Sequence, residues 1–370
     1  MHFDDDILSE QTKTRLDEVL IEAESIRMGS PEQINKFLED APERLAKATS
    51  KKSFATAREW VDILAVALMV AFGIRALYLQ PFKIPTSSMQ PTLFGIHYVS
   101  DCDKIKVLPA PADLIFQGMR RAKATVSEEG QLTIEGQFAA KGRRSFLLSR
   151  TYFNIGGVPY SLPGELNKVN EYAFKGRTYY TKGDILCNGW LSTGDHLFVD
   201  RFSHHFTGLK RGDVTVFNTE GLSYGGQLLT ERGYYYIKRL IGLPGDTLRI
   251  KSDMVYIKAA GTKEEKPITD FNPAFKKIYS GKGGYHGHLN AASLDSPEIT
   301  FTVPEDCYFM MGDNSANSQD SRYFGPVPRK NIVGRAFLVF WPFSRRWGIV
   351  DTKAPVDLST TDRFTEMSMQ

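Results

Sequence analysis

From Trp60 to Leu79 the chain reads WVDILAVALMVAFGIRALYL, and no other stretch limits the possible fold so sharply. A helix rising about 1.5 Å per residue needs about twenty apolar residues to cross a hydrocarbon layer about 30 Å thick, which is the length of this run. Asp62 and Arg75 stand near its two ends, where charged groups reach the interface, and Ile63 to Ile74 carries no charge. A buried core helix is the alternative, because the uncharged part alone has only that length. A cleavable leader fits less well, since a charged segment of nearly sixty residues precedes the run. Arg44, Lys47, Lys51, Lys52 and Arg58 crowd the side before it, and the positive-inside rule then puts the N-terminus in the cytoplasm and everything past about residue 80 on the far side.

A chain of 370 residues with 42% hydrophobic and 24% charged residues has material for one sizeable core or two smaller ones. The formal charge of +3 is small and evenly spread, and no basic run with interleaved aromatics is present, so the sequence argues against a nucleic-acid partner. Cys102, Cys187 and Cys307 are widely spaced and lack the pairing of a zinc site. One disulfide is open to them, with buried inert thiols as the plainer reading.

Before the run, Ser30-Pro31-Glu32-Gln33 and Asp40-Ala41-Pro42-Glu43 each place a capping side chain three residues ahead of Gln or Glu, which predicts helix starts at both. Beyond it come short β-like runs broken by Gly, Pro, Asp and Asn: His196–Val199, Val214–Phe217, Tyr234–Ile241, Thr247–Ile250, Met254–Ile257, Ile299–Val303, Cys307–Met311 and Ile332–Phe340. The expected fold class is therefore mainly β, an antiparallel sheet domain preceded by one transmembrane helix and a short helical segment. The expected organisation is a cytoplasmic helical segment over 1–59, a transmembrane helix over 60–80, a β-rich domain over 81–350 and a polar tail over 351–370. Within the β-rich domain, residues 94–192 form an inserted subdomain and 258–298 a second insertion.

Pro85-Thr86-Ser87-Ser88-Met89-Gln90-Pro91-Thr92-Leu93 lies just past the apolar run. Nine residues of extended chain reach at most about 30 Å, so the Ser88 hydroxyl stays near the bilayer surface. A serine needs a base to take its proton, and none of the histidines is convincing: His204-His205 sits in a polar loop, and His286 and His288 lie among glycines. Lys238, in Tyr234-Tyr235-Tyr236-Ile237-Lys238-Arg239-Leu240-Ile241, is the better candidate. On a strand Lys238 and Arg239 point to opposite faces, so at least one of them sits among apolar side chains. Desolvation disfavours the ammonium form and frees a lysine amine to act as a base, which an arginine cannot do.

Taken together, these motifs resemble those of type I signal peptidases, the membrane-anchored Ser/Lys proteases that cut signal peptides from exported proteins. The resemblance runs through Pro81–Leu93, Gly194–Val199, Arg211-Gly212-Asp213-Val214, Tyr236-Ile237-Lys238-Arg239 with Gly242-Leu243-Pro244-Gly245-Asp246, and Gly312-Asp313-Asn314 through Ser318-Gln319-Asp320-Ser321-Arg322. It implies a signal-peptidase-type β domain in which Ser88 is the nucleophile and Lys238 the general base. It also implies an oxyanion hole from Thr86 and the Ser88 N–H, Ser318 as the residue orienting the amine, Tyr236 as an aromatic beside it, and Arg239, Asp320 and Arg322 as a charged scaffold. Gly312, Asp313 and Asn314 fit the turn of the last motif. Ser87 stands where the family more usually has glycine, and Ser315-Ala316 where an Arg-Asp pair is common, which puts local ion pairing in doubt. The implied reaction needs no metal or organic cofactor, takes signal peptides of exported preproteins as substrates after small residues in an Ala-x-Ala-like site, and has the lipid bilayer as its other partner. A silent, peptide-binding relative is the rival reading, and the intact Ser/Lys pair argues against it.

Overall fold

The computed structural model describes residues 10–48, 55–101, 107–138, 149–224, 227–229, 233–281, 285–344 and 346–351. Cys102, Lys51, Lys52, the side chains of Lys47 and Arg58 and the tail beyond Asp351 lie outside the described residues. The chain divides into two units between Gly73 and Ile74.

The first unit holds two helices, α1 (Glu10–Ile26) and α2 (Pro31–Ala48), and most of a third, α3 (Ala55–Leu77). The capping box at the start of α2 is formed, the Ser30 N–H donating to Gln33 Oε1 at 3.0 Å and the Gln33 N–H to Ser30 Oγ at 3.4 Å. The second expected start is corrected: Asp40-Ala41-Pro42-Glu43 lies inside α2, which carries Pro42 and continues to Ala48. The apolar stripe Ile34, Phe37, Ala41 runs through that point, and burying Ala41 where α2 packs on α1 favours continuation over a new start despite the N–H that proline lacks. Along α3, Trp60, Val61, Ile63, Leu64, Val66, Met69, Val70 and Phe72 are exposed on every side of the helix. Among the described residues no helix is long and apolar enough to cross a membrane.

In the second unit an antiparallel eight-stranded sheet carries the chemistry. Its order is Leu79–Lys83, His196–Asp200, Ile332–Trp341, Val214–Asn218, Tyr235–Gly242, Cys307–Met311 and Val327–Pro328, with Gly348–Ile349 paired to the end of Ile332–Trp341. Alternation along Tyr235–Gly242 sends Ile237 into a core with Met89, Leu93, Leu197, Val199 and Val216, while Tyr236 and Leu240 join Phe217, Met310 and Phe324 on the other face. Mainly antiparallel β structure, as the alternating runs implied, is what the chain builds here.

Two further β pieces interrupt this sheet. Between Phe94 and Thr193, a three-stranded sheet (His97–Ser100, Ile185–Ser192, Met119–Thr125) and a four-stranded one (Val158–Pro163, Arg150–Ile155, Gly130–Phe138, Tyr179–Tyr180) enclose Phe153, Ile155, Leu162, Phe174 and Tyr180. Between Gly242 and Cys307, Thr247–Lys251, Met254–Lys258, Glu265–Pro267 and Phe301–Thr302 form a small sheet over Leu248, Ile250, Val255, Ile257 and Phe275. Cys187 and Cys307 are both free thiols, Cys187 buried.

Candidate functional site

The site forms where the turn after Leu79–Lys83 meets the strand Tyr235–Gly242 and the loop following Cys307–Met311. Met89 and Leu93, 0% and 1% exposed, plug the turn into the sheet core. Asp195 clamps both of its ends: its carbonyl accepts from the Ile84 N–H at 2.9 Å and its carboxylate from the Phe94 N–H at 2.8 Å. Arg346 in turn grips the Asp195 carboxylate with Nε and Nη2 at 2.8 and 2.9 Å. The resemblance placed Asp195 in a motif but gave it no task, and this clamp is one that sequence reasoning missed.

Ser88 Oγ, buried within this turn, accepts a hydrogen bond from Lys238 Nζ at 2.7 Å, across 150 residues of sequence. Thr86 Oγ1 lies 3.4 Å from the same oxygen. The Ser88 carbonyl accepts from the Asn314 N–H at 3.0 Å, and the Ser87 carbonyl from Asn314 Nδ2 at 3.3 Å, so Asn314 ties the turn to the last motif. The Lys238 ammonium also lies over the Tyr236 ring, 5.4 Å from its centroid.

Burial pulls the Lys238 pKa down from 10.5 to about 8; the nearby Asp320 and Asp313 carboxylates resist the shift and Arg322 adds to it. A neutral amine is therefore accessible near physiological pH, and its lone pair can take the hydroxyl proton over the same 2.7 Å that its N–H now spans.

Behind the pair stand two buried ion pairs. Arg239 meets Asp313 side-on, Nε to Oδ1 and Nη2 to Oδ2 both at 2.7 Å, and Nη2 also donates to Thr92 Oγ1 at 2.9 Å. Its Nη1 donates to the Gly212 carbonyl at 2.7 Å and to Asp351 Oδ2 at 2.6 Å. Lys277 also holds Asp351. Arg322 pairs with Asp320 at 2.8 and 2.9 Å. Burial pushes the Asp320 carboxyl up, but Arg322 outweighs it and holds the group below the usual carboxylate range.

The structure thus gathers Ser88, Lys238, Thr86, Tyr236, Arg239, Asp320 and Arg322 in one place. Sequence reasoning gave Asp313 only a turn and did not foresee Thr92, Asp351 or Lys277, whose partners lie far away in the chain. The doubt over Ser315 resolves differently: in place of an ion pair, Ser315 Oγ accepts from Arg322 Nη1 at 2.7 Å and from the Leu289 N–H at 2.9 Å. Ser318 departs from expectation. Its Oγ is buried toward the Asp320 carboxylate, which it helps to hold below its ordinary pKa, and makes no hydrogen bond to the Lys238 amine of the kind implied by the resemblance. The amine donates instead to Ser88, and Ser318 packs against Gly312.

That packing gives a test. A Cβ added at Gly312 would fall 2.2 Å from Ser318 Oγ and 2.6 Å from the Ser88 carbonyl oxygen, the second being backbone that cannot rotate away. Gly312→Ala is expected to lower stability by about 1–3 kcal/mol and activity by about a hundredfold through displacement of Ser88. Urea melts and initial rates measure both, and a variant with parental rates would show that the turn tolerates the shift.

No group of His, Cys, Asp and Glu suited to a metal is present among the described residues. His288 is buried, with Nδ1 2.6 Å from the Tyr279 hydroxyl.

Comparison with known proteins adds the family. The profile of the signal peptidase, peptidase S26 family matches residues 189–341, which include Lys238 and the last motif but stop short of Ser88. A signal peptidase I of Leptolyngbya laminosa is 36% identical over 42% of this chain and 64% of that protein. Signal peptidase I P of Bacillus subtilis subsp. natto is 36% identical over 42% of this chain and 72% of that protein. A solved signal peptidase I from Enterococcus faecalis V583 shares 27% identity over 34% of this chain and 95% of that chain, with a TM-score of 0.24. The aligned segment spans somewhat under two thirds of the Leptolyngbya protein and more than two thirds of the Bacillus one. On the strength of that identity and coverage, the chain belongs to the signal peptidase, peptidase S26 family.

Proposed function

We propose that this protein is a membrane-anchored serine endopeptidase that removes N-terminal signal peptides from exported preproteins after small residues, at an Ala-x-Ala-like site. The observation that carries the reading is the 2.7 Å approach of Lys238 Nζ to Ser88 Oγ, both buried, with the amine depressed to about 8. Ser88 Oγ attacks the scissile carbonyl as neutral Lys238 takes its proton. Negative charge then develops on the carbonyl oxygen, where the Thr86 hydroxyl and the Ser88 N–H are the donors of this reading. The lysinium returns its proton to the leaving amine, and water activated by the same amine hydrolyses the acyl-enzyme. Tyr236 lies beside the base, Asp320 and Arg322 set its electrostatic surroundings, and Arg239 belongs to the charged scaffold behind it. The residues of this chain suffice for each step, without a cofactor.

The anchor is α3, whose apolar side chains face outward on all sides, an arrangement suited to lipid and costly in water. With the basic cluster before it, this reading puts residues 1–59 in the cytoplasm, a span over 60–80 and the β domain with its two insertions outside the cytoplasm, at the cell membrane. Protection of the β domain from added protease in sealed inverted vesicles tests that orientation.

The activity is tested with purified protein and its Ser88→Ala variant on a precursor protein. Cleavage by the parent at the signal-peptide junction and none by the variant is expected. Below pH 8 the amine is protonated, so the parental rate is expected to fall about tenfold per pH unit and to level off above pH 8. Equal cleavage by parent and variant, or a rate independent of pH from 5 to 9, would contradict the assignment.

A further inference from the structure

A cavity of about 560 Å³ lies beside the short helix His204–Thr207, and it belongs to no part of the peptidase reading. Its cationic side is made by Arg329 and Lys330, beside His204, His205 and a single carboxylate, Asp306; burial holds the His204 imidazole below its ordinary pKa, so it stands neutral. Its apolar side is made by Leu209, Tyr308, Pro328 and Ile332. His204, 8% exposed, borders the cavity with the accessible edge of its ring, while its Nδ1 is buried with no hydrogen-bond partner among the described residues.

The neighbouring residues point to where that ligand resides. The helix that brings His204 and His205 also carries Phe206, 75% exposed, and follows Phe202, 43% exposed. Phe206, Phe202 and Tyr78 form a row with ring centroids 4.8 Å apart at each step, and Tyr78 directly follows α3. Exposed aromatics in a row that begins at the end of an apolar helix are the arrangement found at the headgroup level of a bilayer. A cavity that joins Arg329 and Lys330 with apolar side chains, bordered by the helix that carries Phe206, matches an amphiphile with an anionic head.

We propose that this cavity binds the phosphate group of an anionic phospholipid, with Arg329 and Lys330 contacting its charge, His204 and His205 lining its rim, and Leu209 and Ile332 beside its apolar part. The proposal rests on the membrane-anchored reading for the source of the ligand, while its chemistry, a phosphate ester on a cationic rim, stands on the cavity itself. Phosphate suits Arg and Lys side chains that donate several hydrogen bonds at once.

The test uses the full chain in nonionic detergent micelles, titrated by calorimetry with short-chain phosphatidylglycerol and, separately, with inorganic phosphate. Saturable lipid binding is expected, with inorganic phosphate binding more weakly because it leaves the apolar floor unfilled. In R329E/K330E the lipid is expected to bind roughly thirtyfold more weakly or worse, each basic residue near an anionic headgroup being worth a several-fold factor. Should that variant unfold, R329Q/K330Q, which keeps both polar stems, is read in the same way. Lipid binding unchanged in a folded variant, no saturable lipid binding in the parent, or inorganic phosphate binding as tightly as the lipid would each overturn the proposal. Cleavage of a precursor by the same samples reports separately on the peptidase reading, and R329E/K330E is expected to cleave at the parental rate.

Discussion

Lys238→Met is expected to lose about a hundred- to ten-thousandfold in cleavage rate, the range for removal of a positioned base, and yet to be more stable than its parent at neutral pH. The second effect follows from the same burial as the first. The amine binds its proton at about 8 in the fold and at 10.5 in the unfolded chain, so the unfolded chain holds more protons between those values. Stability contributed by this group therefore rises with pH: below about 8 the folded protein carries the whole cost of a buried ammonium, and above about 10.5 none of it. The difference between 10.5 and about 8 corresponds to about 3 kcal/mol. Loss of the bond to Ser88 gives back about 1 kcal/mol, leaving a net gain of about 2 kcal/mol at pH 7 that closes as pH approaches 10. Denaturant melts of both proteins at several pH values measure it. A variant less stable than the parent at pH 7, or one that still cleaves at the parental rate, would remove Lys238 from the proposed role.

Asp313→Ala is expected to cost about 3–5 kcal/mol, because it leaves the Arg239 guanidinium, 0% exposed, without its side-on partner. Asp351 remains to neutralise part of that charge, yet it reaches Arg239 from a different side and is shared with Lys277. The double variant Arg239→Met/Asp313→Leu is expected to recover much of the loss, since a well-packed apolar pair can match a buried ion pair. Guanidinium melts of the three proteins decide it. A single variant within about 1 kcal/mol of the parent would show that the pair is not what holds this loop against the Lys238 strand.

The two expectations differ in how far the sequence reveals them. Lys238 and Arg239 are adjacent on a strand, so the sequence alone puts them on opposite faces. It does not say which face holds carboxylates. Asp313 lies 74 residues from Arg239, and only the pairing of Tyr235–Gly242 with Cys307–Met311 brings the two side chains together. The same holds for the sheet order, where Leu79–Lys83 pairs with His196–Asp200 across the whole first insertion. In the sequence that insertion is marked only as a subdomain over 94–192, because its two sheets are defined by partners and not by local pattern. At Asp40 a capping signature was overridden by packing against α1. At Ser318 a hydroxyl expected on the amine lies against Gly312 instead, a matter of about an ångström that no pattern of residue types encodes.

Residue chemistry by itself determined that this chain has a long apolar run and a run of alternating strands behind it, and its order of motifs, through their resemblance to those of type I signal peptidases, singled out Ser88 and Lys238 as nucleophile and base. Those conclusions need only local order: hydropathy, a two-residue period and the kind of group each side chain carries. What only the tertiary structure decided is that Nζ and Oγ, 150 residues apart, stand 2.7 Å from one another in a place dry enough to loosen the amine's proton. Distance and desolvation are properties of packing, set where the turn that Met89 and Leu93 plug into the core meets the strand that carries Lys238.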